Sequence, residues 1–184
     1  MLSRLTSAQS TLCLNDTSVV KFERNNLIND AFGAAITTSF KVSDLNIDDN
    51  EDYLALSAEH NAYENNFNYK HKRIIRIDKK KSNLFGEDSL ISVNKNHKIQ
   101  NMYSIRFHLY PGITAVQTFG KNSILIQIGK NNSLLFASNG ENLILEKSIF
   151  LGRNQIINNF CITIFGSLNN NQNKDITWEL KRNN

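Results

Sequence analysis

Apolar and polar residues alternate with a period of two through almost every segment of this 184-residue chain. Residues 103–110 (YSIRFHLY) place Tyr, Ile, Phe and Leu on one face of an extended strand, and Ser, Arg, His and Tyr on the other. Residues 123–129 (SILIQIG) repeat the pattern with three isoleucines. Strict alternation indicates a half-buried β-strand, so this feature constrains the chain to β-structure more than any other.

Turn signals separate these runs at intervals of about 8–12 residues, which is typical of an antiparallel sandwich or barrel. Asn139-Gly140 lies between two alternating runs and predicts a hairpin there. The runs predict an all-β, antiparallel β-sandwich of about a dozen short strands. Since neither an internal repeat nor a Pro/Gly/Ser linker divides the chain, we expect a single domain over residues 1–184. The other turn signals are Pro111-Gly112 and residues 120–122, 130–132 and 169–171.

Composition excludes several classes of protein. Cys13 and Cys161 are too few for a disulfide framework and lack the paired spacing of a zinc site. Two free, buried thiols are the favoured interpretation, and a single bridge is the alternative. No apolar run reaches the roughly 18 residues that a membrane-spanning helix needs. Residues 1–16 lack the apolar core of a secretory signal, so none is expected in this chain.

Charge is unevenly distributed along the chain, although the net charge is only +4. Residues 70–81 (KHKRIIRIDKKK) hold seven Lys or Arg and one Asp, whereas residues 41–59 hold six acids and one Lys. We interpret the basic run as the solvated edge of a sheet, because edge strands carry lysines that prevent aggregation. A nucleic-acid groove is the weaker alternative, since the surface lacks a broad basic field, and no nucleic-acid partner is expected.

Motifs for nucleophilic catalysis, phosphate binding and zinc hydrolysis are absent from the sequence. His71 and Arg73 would share one strand face, and so would Arg106 and His108. A face with Arg, His and Tyr suits an acidic sugar, since Arg binds carboxylates bidentately, His titrates near neutrality and Tyr stacks or moves a proton. The alternative is the wet face of a half-solvated sheet. The candidate side chains are His60, Tyr63, His71, Arg73, Arg106 and His108.

Five segments, in order along the chain, resemble the C-terminal region of the heparinase II/III-like family of polysaccharide lyases. Residues 5–18 (LTSAQSTLCLNDTS) resemble the family's Thr-Ala-Ala-His-Ser-Thr-Leu-x-Leu-Asp-Asp-Thr segment. Residues 105–112 (IRFHLYPG) resemble its Arg-Phe-His-Leu-His-Pro-Gly strand and turn, which is the most specific match. The remaining matches are residues 60–63 with 71–73 and 84–88, residues 145–152, and residues 176–180.

The resemblance implies a lyase that cleaves an acidic polysaccharide beside a uronic acid by β-elimination. That reaction needs a neutralised carboxylate, a base for the C5 proton and an acid for the leaving oxygen. In the family a Tyr and a His supply the base and acid, largely from an α/α toroid domain that precedes the sandwich. The toroid is absent from this chain, so the residues that would act as base and acid cannot be named from this sequence. We expect a fragment or short relative that shows no turnover alone.

Gln9 stands where the family's segment has histidine. In some members that histidine helps to hold a metal, and a neutral amide is a weaker ligand than imidazole. We therefore expect no zinc and no other cofactor here, although Gln9 can still hydrogen-bond a sugar. With Gln9, the predicted substrate-binding set contains seven residues.

Two functions remain open from the sequence. The first is the C-terminal domain of a lyase for a heparin-like, alginate-like or other uronide polymer. The second is a non-catalytic carbohydrate-binding or structural β-sandwich, which the missing toroid and Gln9 both favour. The family resemblance implies the periplasm or cell envelope, but the chain itself leaves its localisation and oligomeric state unknown.

Overall fold

The structure is a computed structural model that describes residues 2–23, 27, 33, 35–94, 100–152, 155–168 and 172–183. Within these ranges the chain forms twelve β-strands in two antiparallel sheets, which confirms the predicted all-β sandwich. Two 3-10 turns, Leu2–Arg4 and Thr6–Ala8, precede the first strand, and a one-turn helix α1 (Glu64–Phe67) lies between β3 and β4. The strands are β1 (Leu12–Leu14), β2 (Val42–Asp49), β3 (Tyr53–His60), β4 (Tyr69–Asp78), β5 (Leu84–Ser92), β6 (Asn101–His108), β7 (Thr114–Gln117), β8 (Ser123–Gln127), β9 (Ser133–Ser138), β10 (Asn142–Gly152), β11 (Gln155–Leu168) and β12 (Lys174–Asn183).

The smaller sheet has four strands in the order β1-β6-β11-β10, and the larger has eight in the order β2-β3-β4-β5-β12-β9-β8-β7. Every pairing between neighbours is antiparallel. The apolar faces of the two sheets meet, as the alternation predicts. Residues 103–108 show this directly, because Tyr103 and Ile105 are buried while Ser104 and Arg106 are less covered.

Three aromatic rings join the two sheets at the centre of the core. Phe107 of β6 lies 4.7 Å from Trp178 of β12 and 5.0 Å from Phe136 of β9, measured between ring centroids. Phe136 and Trp178 are stacked. Trp178 also passes over Gly86, where an added Cβ would lie 2.0 Å from the indole ring. Glycine at this position therefore makes room for the one tryptophan of the chain.

The prediction of a hairpin at Asn139-Gly140 is wrong. β9 belongs to the larger sheet and β10 to the smaller, so the chain crosses between sheets at this dipeptide. Asn139 instead pairs with β12, because its side-chain Oδ1 accepts from the Thr177 N–H at 2.7 Å. Gly140 passes so close to Ile164 that an added Cβ would lie 2.2 Å from its Cγ2. Glycine at position 140 thus allows the backbone to pass close to the Ile164 side chain as the chain crosses between the sheets, and the dipeptide does not form a tight hairpin.

The basic run is not a sheet edge, which corrects that interpretation. Its strand, β4, lies between β3 and β5, whereas the acidic stretch forms the edge strand β2 and its neighbour β3. Lysines of the run meet acids of that stretch, in the pairs Lys70–Glu59, Lys79–Asp49 and Lys80–Asp52. Three of the seven cations in the run are thus paired with acids of the neighbouring stretch, which reduces the charge that the run offers to a nucleic acid.

Both cysteines are free and buried, as predicted. Burial raises the pKa of the Cys13 and Cys161 thiols above the usual value. The hairpin turns at residues 120–122 and 130–132 connect β7 to β8 and β8 to β9, in agreement with the sequence. The predicted turn at residues 169–171 lies outside the described residues. No helix in the described part of the chain is long and apolar enough to cross a membrane.

Candidate functional site

The N-terminal segment, defined here as residues 5–17, is where the predicted site residues converge. It carries Gln9 and contains β1, and side chains from both sheets bond to it. Because the bonds come from β4, β6 and the loop before α1, they hold the segment across the seam between the two sheets. They run from Arg73 Nη1 to the Ser10 carbonyl (2.7 Å), the Tyr63 hydroxyl to the Leu12 carbonyl (2.9 Å), Arg106 Nη2 to Asp16 Oδ1 (2.9 Å) and His108 Nε2 to the Ser7 carbonyl (3.1 Å).

Behind this segment lies a buried network centred on Asp88 of β5, which is fully buried. Its Oδ1 accepts from Arg73 Nε and His71 Nε2, each at 2.7 Å. Its Oδ2 accepts from Trp178 Nε1 at 2.9 Å and Arg73 Nη2 at 3.0 Å. Burial alone would raise the pKa of Asp88, but the hydrogen bond from His71 and the Arg73 guanidinium hold it below the usual value. The carboxylate is therefore charged and has four hydrogen bonds.

The two histidines of this network form a directional chain. The Ala62 N–H donates to His60 Nδ1 at 3.3 Å, and His60 Nε2 lies 3.0 Å from His71 Nδ1. These partners assign the tautomers, because His60 must carry its proton on Nε2 and His71 must carry its own on Nε2, facing Asp88. Burial, followed by the electrostatic effect of the neighbouring His71 and Arg73 side chains, lowers the pKa of His60 to about 4. His60 is therefore neutral near pH 7.

Tyr63 and His71 lie inside the sandwich, with 1% and 3% of their surface exposed. Burial raises the pKa of Tyr63 well above its usual value, so the hydroxyl stays protonated and donates to Leu12. Arg73 and His71 share a strand face, as predicted, but that face points between the sheets and not to solvent. The wet-face alternative is thus wrong for these two residues. A direct contact of Tyr63 or His71 with sugar stays a prediction.

An open groove of about 500 Å³ lies beside the N-terminal segment, on the outward face of the smaller sheet. His108 forms part of its wall, together with Ser7 and Ser148. Because the Ser7 carbonyl can only accept, His108 carries its proton on Nε2, and its Nδ1 accepts from the Ser148 hydroxyl at 3.4 Å. Both ring nitrogens of His108 therefore have partners within the fold, and a ligand would reach Nδ1 by exchanging the long Ser148 contact.

Gln9 lies on the rim of the groove and is exposed. Its Nε2 donates to the Ser3 carbonyl at 2.7 Å, which leaves Oε1 without a hydrogen bond among the described residues. Arg106 shares the outward face with His108, as predicted, and its guanidinium bonds Ser104 and the exposed Asp16. Of the seven predicted residues, Gln9 and His108 line the groove and Arg106 lies on the same outward face as His108. Arg73 and Tyr63 bond the segment from the interior, and His60 and His71 belong to the network around Asp88.

Sequence reasoning missed Asn159 of β11, which lines the groove and is only 7% exposed. Its Nδ2 donates to the Leu109 carbonyl at 2.7 Å, an acceptor-only partner that fixes the orientation of the amide. Its Oδ1 is buried and has no hydrogen-bond partner among the residues that the structure describes. Tyr110, which is 67% exposed and lies 5.5 Å from the Phe150 ring, adds an aromatic surface to the same groove.

The chemistry of this groove is that of hydrogen bonding and stacking. A sugar hydroxyl could donate to the exposed Gln9 Oε1, and to Asn159 Oδ1 after a small shift of the atoms that cover this oxygen, while an apolar sugar face could contact Tyr110. An unpartnered buried acceptor is unusual in a folded protein, and a donor from a ligand would satisfy it. Within the described ranges, no three His, Cys, Asp or Glu side chains lie close enough together to hold a metal ion.

Comparisons with known proteins agree with the resemblance found in the sequence. The profile of the family described as "Heparinase II/III-like, C-terminal" matches residues 2–179. No curated protein matches the chain.

Among solved structures, the heparan sulfate lyase HepC from Pedobacter heparinus is similar, with a TM-score of 0.75 and 16% sequence identity over 98% of this chain. A heparinase III structure has a TM-score of 0.69 and 14% identity over 97% of this chain. The chain spans only about a quarter of each, namely 25% and 24% of their lengths. At these identities the likeness establishes the fold, that of the C-terminal β-sandwich of these lyases.

Proposed function

The chain belongs to the heparinase II/III-like C-terminal family, and from this premise we propose that it is the sandwich domain of a polysaccharide lyase. The proposed substrate is an acidic polysaccharide that contains uronic acid, and the proposed reaction is β-elimination beside that uronic acid. In this proposal the chain supplies one wall of the substrate cleft. The base and the acid that move protons would come from residues outside this chain.

One observation carries the proposal. The segment that resembles the family's most N-terminal motif borders a polar groove in which a buried amide oxygen, Asn159 Oδ1, has no partner. Gln9 and His108 lie at the same groove, with oriented hydrogen-bonding atoms. A polyhydroxylated ligand supplies the donors that such a surface lacks, whereas an apolar ligand would leave the amide oxygen unsatisfied.

The proposed roles follow from burial. Gln9 binds a sugar hydroxyl through Oε1, and His108 accepts another at Nδ1 by exchanging its long contact with Ser148. Arg106, which is 19% exposed, pairs with a uronate or sulfate group by exchanging its contact with the exposed Asp16. Arg73, with His60, Tyr63 and His71 behind it, acts as a positioning residue, because its own bonds go to Asp88 and Ser10. Arg73 and Tyr63 hold the segment directly, and His60 and His71 belong to the network that orients Arg73.

Binding of an acidic oligosaccharide to the chain tests the groove. We expect Gln9→Ala and Arg106→Ala to lower the affinity by about 5- to 20-fold each, since each removes a polar or charged contact. Lys121→Gln, in the turn between β7 and β8, is the matched control and should leave the affinity unchanged. Equal affinities in all variants would remove the groove from the proposal.

Turnover is tested on the native polypeptide in which this sequence occurs. A lyase creates an unsaturated uronide that absorbs in the ultraviolet, so absorbance growth on an acidic polysaccharide is expected, with a higher KM for the Arg106→Ala variant. Unchanged kinetics in that variant would contradict a role for Arg106. For the 184-residue chain alone we expect binding without turnover.

Gln9 favours a second candidate, a non-catalytic carbohydrate-binding sandwich. A neutral amide bonded to the Ser3 carbonyl cannot exchange a proton as the family's histidine can. If the native polypeptide binds the polymer but never produces the ultraviolet-absorbing product, the binding function replaces the lyase.

A further inference from the structure

A second concave surface, the outer trough, lies on the opposite side of the sandwich. It has a volume of about 560 Å³ and runs across the outward face of β4, β5, β12 and β9. Trp178 and Asp88 of the same sheet face inward, towards the network and the aromatic core, so the alternate residues along these strands face outward. The outward side chains that form the trough are Ile74, Arg76, Phe85, Glu87, Thr177 and Glu179.

Cations and rings alternate across one end of the trough. The Arg76 guanidinium lies 5.2 Å from the Tyr53 ring centroid and 5.7 Å from that of Phe85. Lys181 Nζ also lies over the Phe85 ring, 5.9 Å from its centroid. Antiparallel pairing brings these residues together, because Arg76 is directly opposite Phe85 in the register of β4 and β5. The row therefore combines an aromatic surface with positive charge.

The two cations of this row differ in their partners. Lys181 is neutralised by Glu179 at 2.7 Å. Arg76 is exposed, and in the described part of the chain its guanidinium lies over the two rings and makes no ion pair or hydrogen bond. Flanking rings restrict the movement of the guanidinium but leave its N–H groups free. A planar fork of donors held in this way suits a carboxylate, which can accept two parallel hydrogen bonds.

We propose that the outer trough is a second binding site for a uronic acid unit, with Arg76 taking its carboxylate and Phe85 contacting the apolar face of its ring. The Thr177 hydroxyl and the Glu87 carboxylate, both in the trough, face the ring hydroxyls. The choice of a uronate rests on the proposed function, but the site itself is separate from the groove at the N-terminal segment. A domain with two such sites would hold a long polymer at a point remote from the cleft.

The test is a titration of the isotope-labelled chain with an unsulfated uronic acid tetrasaccharide, followed by the backbone amide signals. A neutral tetrasaccharide of equal length is the control ligand. We expect the amides of Glu87 and Thr177 to shift on addition of the acidic ligand, and Arg76→Gln to weaken that response roughly tenfold. Arg76→Lys, which keeps the charge but loses the fork, should give an intermediate loss. Arg182→Gln, an exposed arginine near the end of β12, should have no effect.

Two sets of signals keep this inference distinct from the proposed function. Shifts at Ser7 and His108 without shifts at Glu87 and Thr177 would overturn the outer trough and support the groove. Shifts in the trough alone would support this inference and count against the groove. An Arg76→Gln variant that binds the tetrasaccharide like the unaltered chain, or trough shifts equally strong with the neutral ligand, would also overturn it.

Discussion

Two regions of this molecule use the same residue types in opposite ways. In the interior, Asp88 has four hydrogen bonds from Arg73, His71 and Trp178. In the groove at the N-terminal segment, Asn159 Oδ1 is buried and has no hydrogen-bond partner among the described residues. The Arg and His of the interior have partners within the fold, whereas the groove keeps an acceptor that the described residues do not use. Buried atoms without a partner also occur away from the groove, at Asn101 Nδ2 and the Tyr103 hydroxyl, so it is the place of Asn159 beside the groove that favours a ligand there.

The comparison teaches that strand-face chemistry is not enough to assign a role. His71 with Arg73, and Arg106 with His108, have similar spacing along their strands. One pair faces the core and the other faces outward, and this orientation alone separates support from contact. The two regions are nevertheless coupled, because Arg73 bonds the Ser10 carbonyl and the Ser10 hydroxyl accepts from the His108 N–H at 3.2 Å.

The largest expected effect comes from Asp88→Asn, which breaks the interior network. The change removes the charge that Arg73 needs while leaving the guanidinium largely buried, with 18% of its side chain exposed. Loss of one partner of a buried pair costs about 3–5 kcal/mol, so we expect the free energy of unfolding in urea to fall by that amount. Asp175→Asn, an exposed carboxylate on β12, is the control. A loss below about 1 kcal/mol for Asp88→Asn would show that the network is not what supports the interior.

The pH dependence of stability tests the neutral His60 of the same network. Its pKa is lowered to about 4 in the folded chain, so the unfolded chain binds this proton more readily. The contribution of neutral His60 to the free energy of unfolding is therefore fully present above about pH 6.5 and is lost as the pH falls towards 4. We expect a loss of roughly 2 kcal/mol over this range from His60, after allowance for its partial exposure. His60→Gln should flatten the slope measured by urea unfolding at each pH, and an unchanged slope would contradict the assignment.

The groove side of the comparison is tested by Asn159→Ala. The substitution removes the unpartnered oxygen, so it should affect ligand binding more than stability. We expect the affinity for an acidic oligosaccharide to fall by about 5- to 10-fold, with an unfolding free energy within about 1.5 kcal/mol of the unaltered chain. Asn158→Ala is the matched control, because its exposed side chain points to the other face of β11. A large loss of stability with unchanged binding would show that Asn159 supports the fold and does not bind the ligand.

Sequence reasoning reached the fold because alternation is a local property. It also placed His71 beside Arg73 and Arg106 beside His108. Alternation has two equivalent faces, however, and only the packing of the sheets decides which of them is inside. Asn159 lacks any local signal, since it is one of 28 asparagines. Asp88 lies in the family match at residues 84–88, but alternation alone does not distinguish it from Glu87, the other acid on its strand.

Sheet membership is likewise invisible to local patterns. Asn139-Gly140 correctly indicates a change of direction, but the strand that follows joins the other sheet. The interpretation of the basic run as a sheet edge is wrong for the same reason, because local patterns do not show which strands lie beside it. Its neighbours β3 and β5 are set by long-range pairing, and the acids that neutralise it lie on strands earlier in the chain.

The smallest expected effect comes from Lys80→Gln at the surface, which extends the comparison to a third kind of ion pair. Lys80 and its partner Asp52 have side chains that are 75% and 68% exposed, so water competes with the pair and salt screens it. We expect the unfolding free energy to change by less than about 0.5 kcal/mol, several times less than for Asp88→Asn. Measurements in low and high salt would separate screening from packing, because any effect of Lys80 should shrink as salt increases. A salt-independent loss above about 1 kcal/mol would mean that the basic run stabilises the fold through contacts other than charge. In that case the burial of an ion pair would no longer predict how much it contributes to the stability of this chain.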